Sequence, residues 1–399
     1  MGKLATGSAM RRVVVPLVGM LALAACGGSV AGSSGSVPVV KVGLVVSLTG
    51  EGSSNAEPVI QGANLALDDI NTHHLAGNRR LEFVQVDDAT DPQTAQQVCT
   101  RLVTQDQVVA IVGSENTPSR AACNQAAQAQ GIPYFAGNGT GGNVCYPNMF
   151  FFGLVPNQQV NPLVDYLIQK QGLKSFFILA SDYAPPKGSV AVAQKEIPAR
   201  GGRILAINYE PLNTTQFSSD VARIAAAKPD VIMDALVGND QIPYHKQVRD
   251  DPRTANIPQA SLQMNEAVAR AIGPEAVGIY VADDYITGDP SPANRAWKAA
   301  LAKKYGSQAQ PSFFAAETYD ATEFLAAAMK KANSTNGKAI IDAVTHVSFK
   351  GPRGTIVIKP NSHGYATLAT HIGRVTSDYS IEQIAVTPPV DPVVSCPSA

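Results

Sequence analysis

The feature of the sequence that most limits its fold is an alternation of short apolar runs with amphipathic helical segments. The run VVKVGLVV, Val39 to Val46, predicts a buried strand, and the segment Ala56 to Asn71 places its apolar residues at helical spacing. The run RLEFVQVDD predicts a second strand, and Asp91 followed by Pro92 marks the start of the next helix. Buried strands separated by helices favour a parallel sheet with right-handed crossovers.

Further apolar runs extend this pattern into two sheets. Val108 to Val112 and Ile132 to Phe135 predict two more strands of the first sheet. The pattern restarts around Phe150 to Pro156, which predicts a second sheet of the same kind. Its predicted strands are Phe176 to Ala180, Ile204 to Tyr209, Val231 to Ala235 and Gly278 to Ala282.

The last third of the chain contains helical segments that have no partner strands. These segments are Asn294 to Tyr305, Phe314 to Ala332 and Lys338 to Thr345. We expect the chain to return with them to its first sheet, so the predicted fold class is α/β, with two doubly wound parallel-sheet lobes and a cleft between them. The predicted boundaries are 38–153 and 286–361 for the first lobe, and 154–285 and 362–399 for the second.

Length and charge agree with two domains and exclude one class of partner. The chain has 399 residues, of which 45% are hydrophobic, enough for a full core in each of two domains. Its formal net charge is -1, and neither sign forms a long run. A nucleic-acid-binding face would need clustered basic residues, so we expect no nucleic acid partner.

The N-terminus has the pattern of a secretory signal. Arg11 and Arg12 precede the apolar segment Val13 to Ala25, and a Gly/Ser-rich stretch follows. The apolar segment is too short for a membrane span of about 20 residues. We therefore expect residues 1–25 to be a signal peptide and the chain to be exported.

The end of this signal determines whether the mature chain carries a lipid. The ending LAAC, Leu23 to Cys26, resembles the lipobox of bacterial lipoproteins. The resemblance implies cleavage before Cys26 and a lipid on its sulfur, which would hold the protein at the outer face of a bacterial membrane. Residues 26–37 would then form a flexible Gly/Ser linker. The alternative is an ordinary signal peptide followed by a free thiol.

Export permits disulfide bonds between the remaining cysteines. These are Cys99, Cys123, Cys145 and Cys396, which allow three pairings. We predict a bridge between Cys123 and Cys145, because it would fasten the polar loop between them. The pairing of Cys99 and Cys396 is left open. The cysteines and histidines show no spacing typical of a zinc site, so we expect no metal.

Two neighbouring strands end in small polar residues. After Val108 to Val112 comes GSENTPSR, in which Thr117 is placed as the N-cap of a helix and Pro118 as its first residue. After the next strand comes GNGTGG, with polar side chains at Asn138 and Thr140. Ligands of parallel α/β sheets bind beyond the carboxyl ends of strands, where free N–H groups of helix N-termini suit a carboxylate or a polar carbonyl. Each feature alone is typical of an ordinary cap or turn, but the two together indicate a ligand site.

The succession of motifs resembles the type I periplasmic binding proteins of branched-chain amino acid ABC transporters. The motifs are VGLVVSLTG, QGANLALDDIN, VDDATDPQTA, VVAIVGSENT and DYITGDPSPAN, in this order. The resemblance covers essentially the whole mature chain. It implies a Venus-flytrap fold, in which two lobes joined by a three-segment hinge close over one small molecule.

The resemblance also implies which residues contact the ligand. Thr117 and Thr140 would hold its head group, and an acidic residue of the second lobe would meet an ammonium group. The predicted contacts in the first lobe are Thr117, Thr140, Asn116, Asn138, Gly139 and Ser54. The predicted contacts in the second lobe are Tyr183, Asn239, Asn265 and Glu266.

These patterns support three possible functions to different degrees. The leading hypothesis is a lipid-anchored solute receptor that passes an amino acid, or a related amide or carboxylate, to ABC permease and ATPase subunits. The alternative is a ligand sensor of the amide- or urea-binding type. An exported enzyme is disfavoured, because the sequence has no Gly-x-Ser-x-Gly, His-Glu-x-x-His or phosphate-loop motif. We therefore predict no enzymatic activity and no cofactor.

Overall fold

The first sheet is built from the N-terminal part of the described chain. The computed structural model describes residues 37–50, 52–113, 116–137, 139 and 144–396. The strands are β1 (Val39–Val46), β2 (Arg80–Asp87), β3 (Ile111–Gly113), β4 (Tyr134–Ala136) and β5 (Met149–Phe151). They are connected through the helices α1 (Ala56–His73), α2 (Pro92–Thr104) and α3 (Thr117–Ala129). The strands pair in parallel in the order β2-β1-β3-β4-β5, as the alternating apolar pattern predicts.

The chain then forms most of a second sheet. Its strands are β6 (Ser175–Ser181), β7 (Arg203–Glu210), β8 (Val231–Ala235), β9 (Gln259–Ser261) and β10 (Tyr280–Asp283). Its helices are α4 (Pro156–Asp165), α5 (Ala184–Ala199), α6 (Ser218–Ala227), α7 (Gln241–Asp250) and α8 (Glu266–Ile272). All five strands are parallel, and every residue of β6 is buried because helices cover both faces of the sheet.

After β10 the chain returns to the first sheet, as the unpaired helices predict. The returning elements are α9 (Pro292–Tyr305), α10 (Phe313–Ala332), α11 (Gly337–Ala343) and the short strands β11 (Ser348–Gly351), β12 (Gly354–Ile358) and β13 (Ala366–Thr367). Phe324 and Leu325 of α10 share one core with Val42 and Leu44 of β1. We call the first sheet with these elements the first lobe.

Two last strands complete the second sheet, which with its helices forms the second lobe. They are β14 (His371–Val375) and β15 (Ile381–Val386), and both pair antiparallel. The full order is β15-β14-β10-β9-β8-β6-β7. The predicted α/β fold with two parallel-sheet lobes is confirmed, with an antiparallel edge added to the second sheet.

Three segments connect the lobes, after β5, after β10 and after β13, and the tail after β15 runs back to the first lobe as a fourth. Gln158 of α4 joins the segment after β5 to β13 and to the tail after β15, because its Nε2 donates to the carbonyl oxygens of Ala366 at 2.9 Å and Val390 at 2.8 Å. The predicted boundary placed 362–399 in the second lobe, but Val394 packs into the core of the first sheet. The tail after β15 therefore runs back to the first lobe, while the other boundaries stay predictions. None of the helices in the described part of the chain is both long and apolar enough to cross a membrane.

The disulfides differ from the predicted bridge between Cys123 and Cys145. Cys99 is bonded to Cys123, and Cys145 is bonded to Cys396. The first bond joins α2 to α3, which pack side by side, so their cysteines meet across a helix interface that sequence spacing does not reveal. The second fastens the returning tail. A ring nitrogen of His363 lies within 4.8 Å of both Cys145 and Cys396, but disulfide sulfurs are not the thiolates that bind metals.

Candidate ligand-binding site

A cavity of about 250 Å³ lies where the two lobes face each other. The first lobe contributes residues that follow β3, β4 and β5 together with the start of α10. The second lobe contributes residues that follow β6, β8, β9 and β10. The lining residues are Asn116, Thr117, Gly139, Leu154, Pro156, Gln159, Tyr183, Pro185, Pro186, Ser189, Val237, Leu262, Gln263, Asp283, Phe313 and Glu317. The site therefore lies at the carboxyl ends of the parallel strands, where such sheets bind ligands.

The N-terminus of α3 forms the wall contributed by the first lobe. Asn116 is the N-cap, and its Oδ1 accepts a hydrogen bond from the backbone N–H of Ser119 at 2.8 Å. The cap therefore lies one residue before Thr117, the position predicted for it, and Thr117 is the first helical residue. The partial positive charge of the helix N-terminus favours an anionic group at this wall.

Gly139 lies against the same wall, and the packing explains why a glycine is needed. A Cβ at this position would lie 2.3 Å from the carbonyl oxygen of Leu154, so any larger residue would displace the backbone. The buried guanidinium of Arg120 donates to the carbonyl oxygen of Gly139 at 3.2 Å and to Oγ1 of Thr117 at 3.3 Å. Arg120 thus holds Gly139 next to the start of α3.

The second lobe supplies a wall that is mostly apolar. Tyr183 precedes α5, and Pro185 and Pro186 form the first turn of that helix. Gln159 is held in place because its Nε2 donates to the carbonyl oxygens of Leu262 and Ala282, each at 2.8 Å. This wall suits the apolar part of a small amphipathic molecule.

Acidic residues line the cavity beside the segments that connect the lobes. Asp283 ends β10 and Glu317 lies in the second turn of α10. Burial, followed by the charge of Asp284, raises the pKa of Asp283 well above its usual range. The same two causes raise the pKa of Glu317 well above its usual range.

One guanidinium forms ion pairs with two further acidic residues next to Asp283 and Glu317. Nη1 of Arg353 donates to Asp284 and its Nε donates to Asp320, both at 2.6 Å. We call Asp283, Asp284, Glu317 and Asp320 the carboxyl cluster. Burial raises the pKa of Asp320 to about 7, although the charge of Arg353 opposes this shift.

The structure brings only some of the predicted site residues to the cavity. Thr117, Asn116, Gly139 and Tyr183 line it. Asn138 and Thr140, predicted to contact the ligand, and Cys26, predicted to carry the lipid, lie outside the described residues.

The other predicted residues lie elsewhere. Ser54 and Asn239 are exposed, and Val237 takes the place on the cavity wall that was predicted for Asn239. Asn265 caps α8, because its Oδ1 accepts from the backbone N–H groups of Ala267 and Val268. The carboxylate of Glu266 accepts from the backbone N–H of Thr287 at 3.1 Å rather than lining the cavity.

Two lobes of this fold around a small cavity, with a polar wall on one side and a mostly apolar wall on the other, define a bilobal solute-binding protein. The model of the periplasmic binding protein family matches residues 39–380, and the chain belongs to this family. The family and the fold class predicted from the sequence are thereby confirmed. Periplasmic binding proteins act outside the cytoplasm and have no catalytic role in transport.

Individual relatives agree with this assignment. A Leu/Ile/Val-binding protein homolog 6 from Brucella melitensis is 23% identical over 353 residues, which cover 84% of this chain and 87% of the relative. An amino acid binding protein from Pseudomonas aeruginosa is 25% identical over 329 residues, which cover 80% of this chain and 85% of the relative.

Solved structures of ABC transporter proteins share the fold. A substrate-binding protein from Sphaerobacter thermophilus has a TM-score of 0.81 at 21% identity, over 89% of this chain and 99% of its own. A solute binding protein from Rhodopseudomonas palustris BisB5, in complex with 3,4-dihydroxybenzoic acid, has a TM-score of 0.77 at 25% identity, over the same shares of the two chains. The chain is thus similar to proteins that bind amino acids and to one that binds an aromatic acid.

Proposed function

We propose that this protein captures an amino acid, or a related carboxylate or amide, between its lobes and delivers it to an ABC permease. The observation that carries the proposal is the cavity of about 250 Å³, which both lobes line. A molecule held there contacts both lobes only when they are close together. Its binding therefore favours the closed arrangement by the difference in affinity between the two states.

The two walls support a ligand with chemically different ends. The N-terminus of α3, with Thr117 and Gly139, suits a carboxylate or a carbonyl oxygen. Pro185, Pro186 and Leu262 of the opposite wall suit an apolar group. A small amphipathic molecule with one anionic end meets both conditions.

The sequence before residue 37 supports an anchored, extracytoplasmic receptor. The signal peptide 1–25 and the LAAC ending favour a lipid on Cys26, and the Gly/Ser linker would let the folded part reach a permease in the same membrane. Delivery to that permease distinguishes a transport receptor from a sensor.

A thermal shift screen tests the ligand class. The full chain is heated with each of the twenty L-amino acids, benzoate, 4-hydroxybenzoate, acetamide and urea at saturating concentration. A ligand present at 100 times its Kd stabilises the folded protein by about 2.7 kcal/mol, which raises the melting temperature. A folded protein whose melting temperature none of these compounds raises would contradict the proposal. Uptake of the radiolabelled ligand by cells with and without the gene then separates transport from sensing.

A further inference from the structure

One histidine lies beside the disulfide bond that fastens the tail to the first lobe. A ring nitrogen of His363 and the sulfurs of Cys145 and Cys396 all lie within 4.8 Å of one another. Among the described residues, these three form the one group of histidine, cysteine, aspartate or glutamate side chains with the spacing of a metal site. Thiolate sulfur and imidazole nitrogen are the usual donors of zinc sites, so the group has the composition of such a site when its cysteines are reduced.

This disulfide can be reached from solvent, whereas the other one cannot. Cys99 and Cys123 are fully buried where α2 packs against α3. Neither Cys145 nor Cys396 is buried. Cys145 and His363 line a cavity of about 400 Å³ in the first lobe. A small reductant and a metal ion therefore have access to the second bond, and the packed helices shield the first.

Two of the three side chains are held in place by contacts that do not depend on the disulfide. The hydroxyl of Tyr365 donates to the carbonyl oxygen of the residue before Cys145 at 2.6 Å. The backbone N–H of Phe151 donates to the carbonyl oxygen of Gly364, the residue after His363, at 2.9 Å. The first contact holds the segment before β5, and the second holds the turn between β12 and β13 against β5.

The tail that carries the third side chain is also held by contacts of its own. The backbone N–H of Val393 donates to Oδ1 of Asn157 at 2.7 Å, and Val394 packs into the core of the first sheet. Cys396 follows two residues later. Reduction of the bond would therefore leave the two thiols and the imidazole close together, as a metal site requires.

We propose that Cys145, Cys396 and His363 bind a zinc ion after a small thiol has reduced the disulfide. Two molecules of the thiol supply two electrons and two protons, so that each cysteine sulfur becomes a thiol and the two reductant molecules leave joined by a disulfide. The zinc ion displaces the two cysteine protons to solvent and binds two thiolates and one neutral imidazole nitrogen. Water occupies the fourth tetrahedral position.

The proposed zinc site has a defined metal preference and a structural effect. Thiolate and imidazole ligands suit zinc, whereas calcium and magnesium prefer oxygen ligands, so neither of those ions should bind. The zinc ion would join the tail to the segment before β5 in place of the disulfide. None of the three ligands lines the cavity between the lobes, so the site is separate from the one in the proposed function.

Zinc titration of the full chain, purified without a polyhistidine tag, tests the proposal. The chain is reduced with a phosphine, desalted in the absence of oxygen and titrated in competition with a chromophoric chelator, beside the oxidised chain. We expect one zinc ion per reduced chain and an affinity at least about 100-fold above that of the oxidised chain, because a disulfide offers no thiolate. Zinc should also raise the melting temperature of the reduced chain. Cobalt bound in its place should show thiolate-to-metal charge-transfer absorption.

A pair of histidine variants tests the nitrogen ligand. Loss of a partner that only supports a metal ligand weakens metal binding by about 10–100-fold, so His363→Ala should weaken zinc binding at least about 100-fold. His346→Ala is the matched control, because His346 is also exposed and follows Thr345, which lines the same cavity, but is not part of the three-ligand group. It should bind zinc as the wild type does.

A pair of cysteine variants tests the sulfur ligands. Cys145→Ser/Cys396→Ser should bind no zinc after reduction, although it keeps every other thiol and histidine of the chain. Cys99→Ser/Cys123→Ser should bind zinc as the reduced wild type does, because its second disulfide is intact. Circular dichroism spectra show whether each variant is folded, and the comparison of His363→Ala with the wild type does not require either double variant to fold.

Four outcomes would overturn the zinc site. They are a reduced wild type that binds no zinc, equal binding by the reduced and oxidised chains, unchanged binding in His363→Ala, and binding that persists in Cys145→Ser/Cys396→Ser. None of these measurements involves a ligand between the lobes. The zinc site and the proposed function can therefore fail independently of each other.

Discussion

Arg353 and Asp284 form a buried ion pair, with Nη1 of Arg353 2.6 Å from Oδ2 of Asp284. Arg353 lies in the turn between β11 and β12 of the first lobe, whereas Asp284 directly follows β10 of the second. The same guanidinium donates to the carbonyl oxygen of Phe152 at 2.7 Å, directly after β5. Two of the segments that connect the lobes thus meet on one side chain, which fixes where they lie relative to each other.

Replacing Arg353 should destabilise the fold. Arg353→Met would leave Asp284 and Asp320 buried without their cation, and breaking a buried pair costs about 3–5 kcal/mol in the free energy of unfolding. Urea denaturation followed by circular dichroism measures the change. Lys359→Met is the control, because Lys359 pairs with Asp391 at the surface, where such pairs contribute about 1 kcal/mol or less. Equal stability of the two variants would contradict this account.

A buried pair in the second lobe gives a prediction about pH. Nε2 of His245 lies 3.5 Å from Oδ2 of Asp234, and both residues are fully buried. Burial raises the pKa of Asp234 to about 7 and lowers the pKa of His245 to about 4. Between pH 4 and 6.5 the folded pair holds its proton on Asp234, and the unfolded chain holds one on the histidine. The two states bind the same number of protons there, so we expect the pair to add little pH dependence to stability.

Replacing either member of the pair should make stability depend on pH, and in opposite directions for the two variants. In Asp234→Asn, the unfolded state binds more protons than the folded state between pH 4 and 6.5, so stability should rise with pH by roughly 3 kcal/mol. In His245→Gln, the folded state binds more protons between pH 3.8 and 7, so stability should fall as pH rises, by roughly 4 kcal/mol. Urea midpoints across this pH range measure both slopes, and parallel profiles for the two variants would rule out the assignment.

The sequence was most informative where the pattern of apolar residues was long. The segment Phe314 to Ala332 predicted α10, which begins one residue earlier, and Val231 to Ala235 predicted β8 to the residue. β9 was not predicted, because its three residues lie in no long apolar run and are too few to show a period. β5 was not predicted either, although Met149 to Phe152 are apolar. The spacing of apolar residues therefore predicts long helices and strands more reliably than short ones.

The candidate site was predicted in part. Thr117 and Gly139 were predicted because they follow strands and their chemistry is visible locally. Asp283 and Glu317 were not, although the doubled aspartate at 283 and 284 is visible in the sequence. Glu317 reaches the cavity only because α10 returns to the first lobe, and no local pattern records which residue of that helix faces the cleft. The disulfide pairing failed for the same reason, since it depends on which helices pack together.

A small change at Gly139 should impair ligand binding. A Cβ there would meet the carbonyl oxygen of Leu154, so Gly139→Ala would displace residue 139 from its contact with Arg120 beside the N-terminus of α3. We expect affinity for the ligand found in the thermal shift screen to fall about 10-fold or more, corresponding to about 1.4 kcal/mol. Gly172→Ala is the control. Its Cβ would meet no atom within 4 Å, and its positive φ of 73° should cost about 1 kcal/mol of stability without changing affinity.

Cys26 should determine where the protein is found. If the LAAC ending directs lipidation, the wild-type protein should sediment with membranes and enter detergent. Cys26→Ser removes the sulfur that would carry the lipid, and the protein should then be released into the soluble extracytoplasmic fraction. Fractionation and immunoblotting measure this distribution. Membrane association that survives the substitution would show that another feature anchors the chain.

The bond between Cys145 and Cys396 should affect both stability and ligand affinity. It fastens the tail after β15 of the second lobe to the segment before β5 of the first, and thereby limits how far the lobes can separate. The double variant Cys145→Ser/Cys396→Ser should lose about 2–5 kcal/mol of stability. Its affinity for the ligand should also fall, because the open arrangement becomes more populated.

Cys99→Ser/Cys123→Ser, which removes the bond between α2 and α3 inside one lobe, should lose stability but retain affinity. Urea denaturation and calorimetry measure the two effects, and an equal loss of affinity in both double variants would show that the tail does not restrain the lobes.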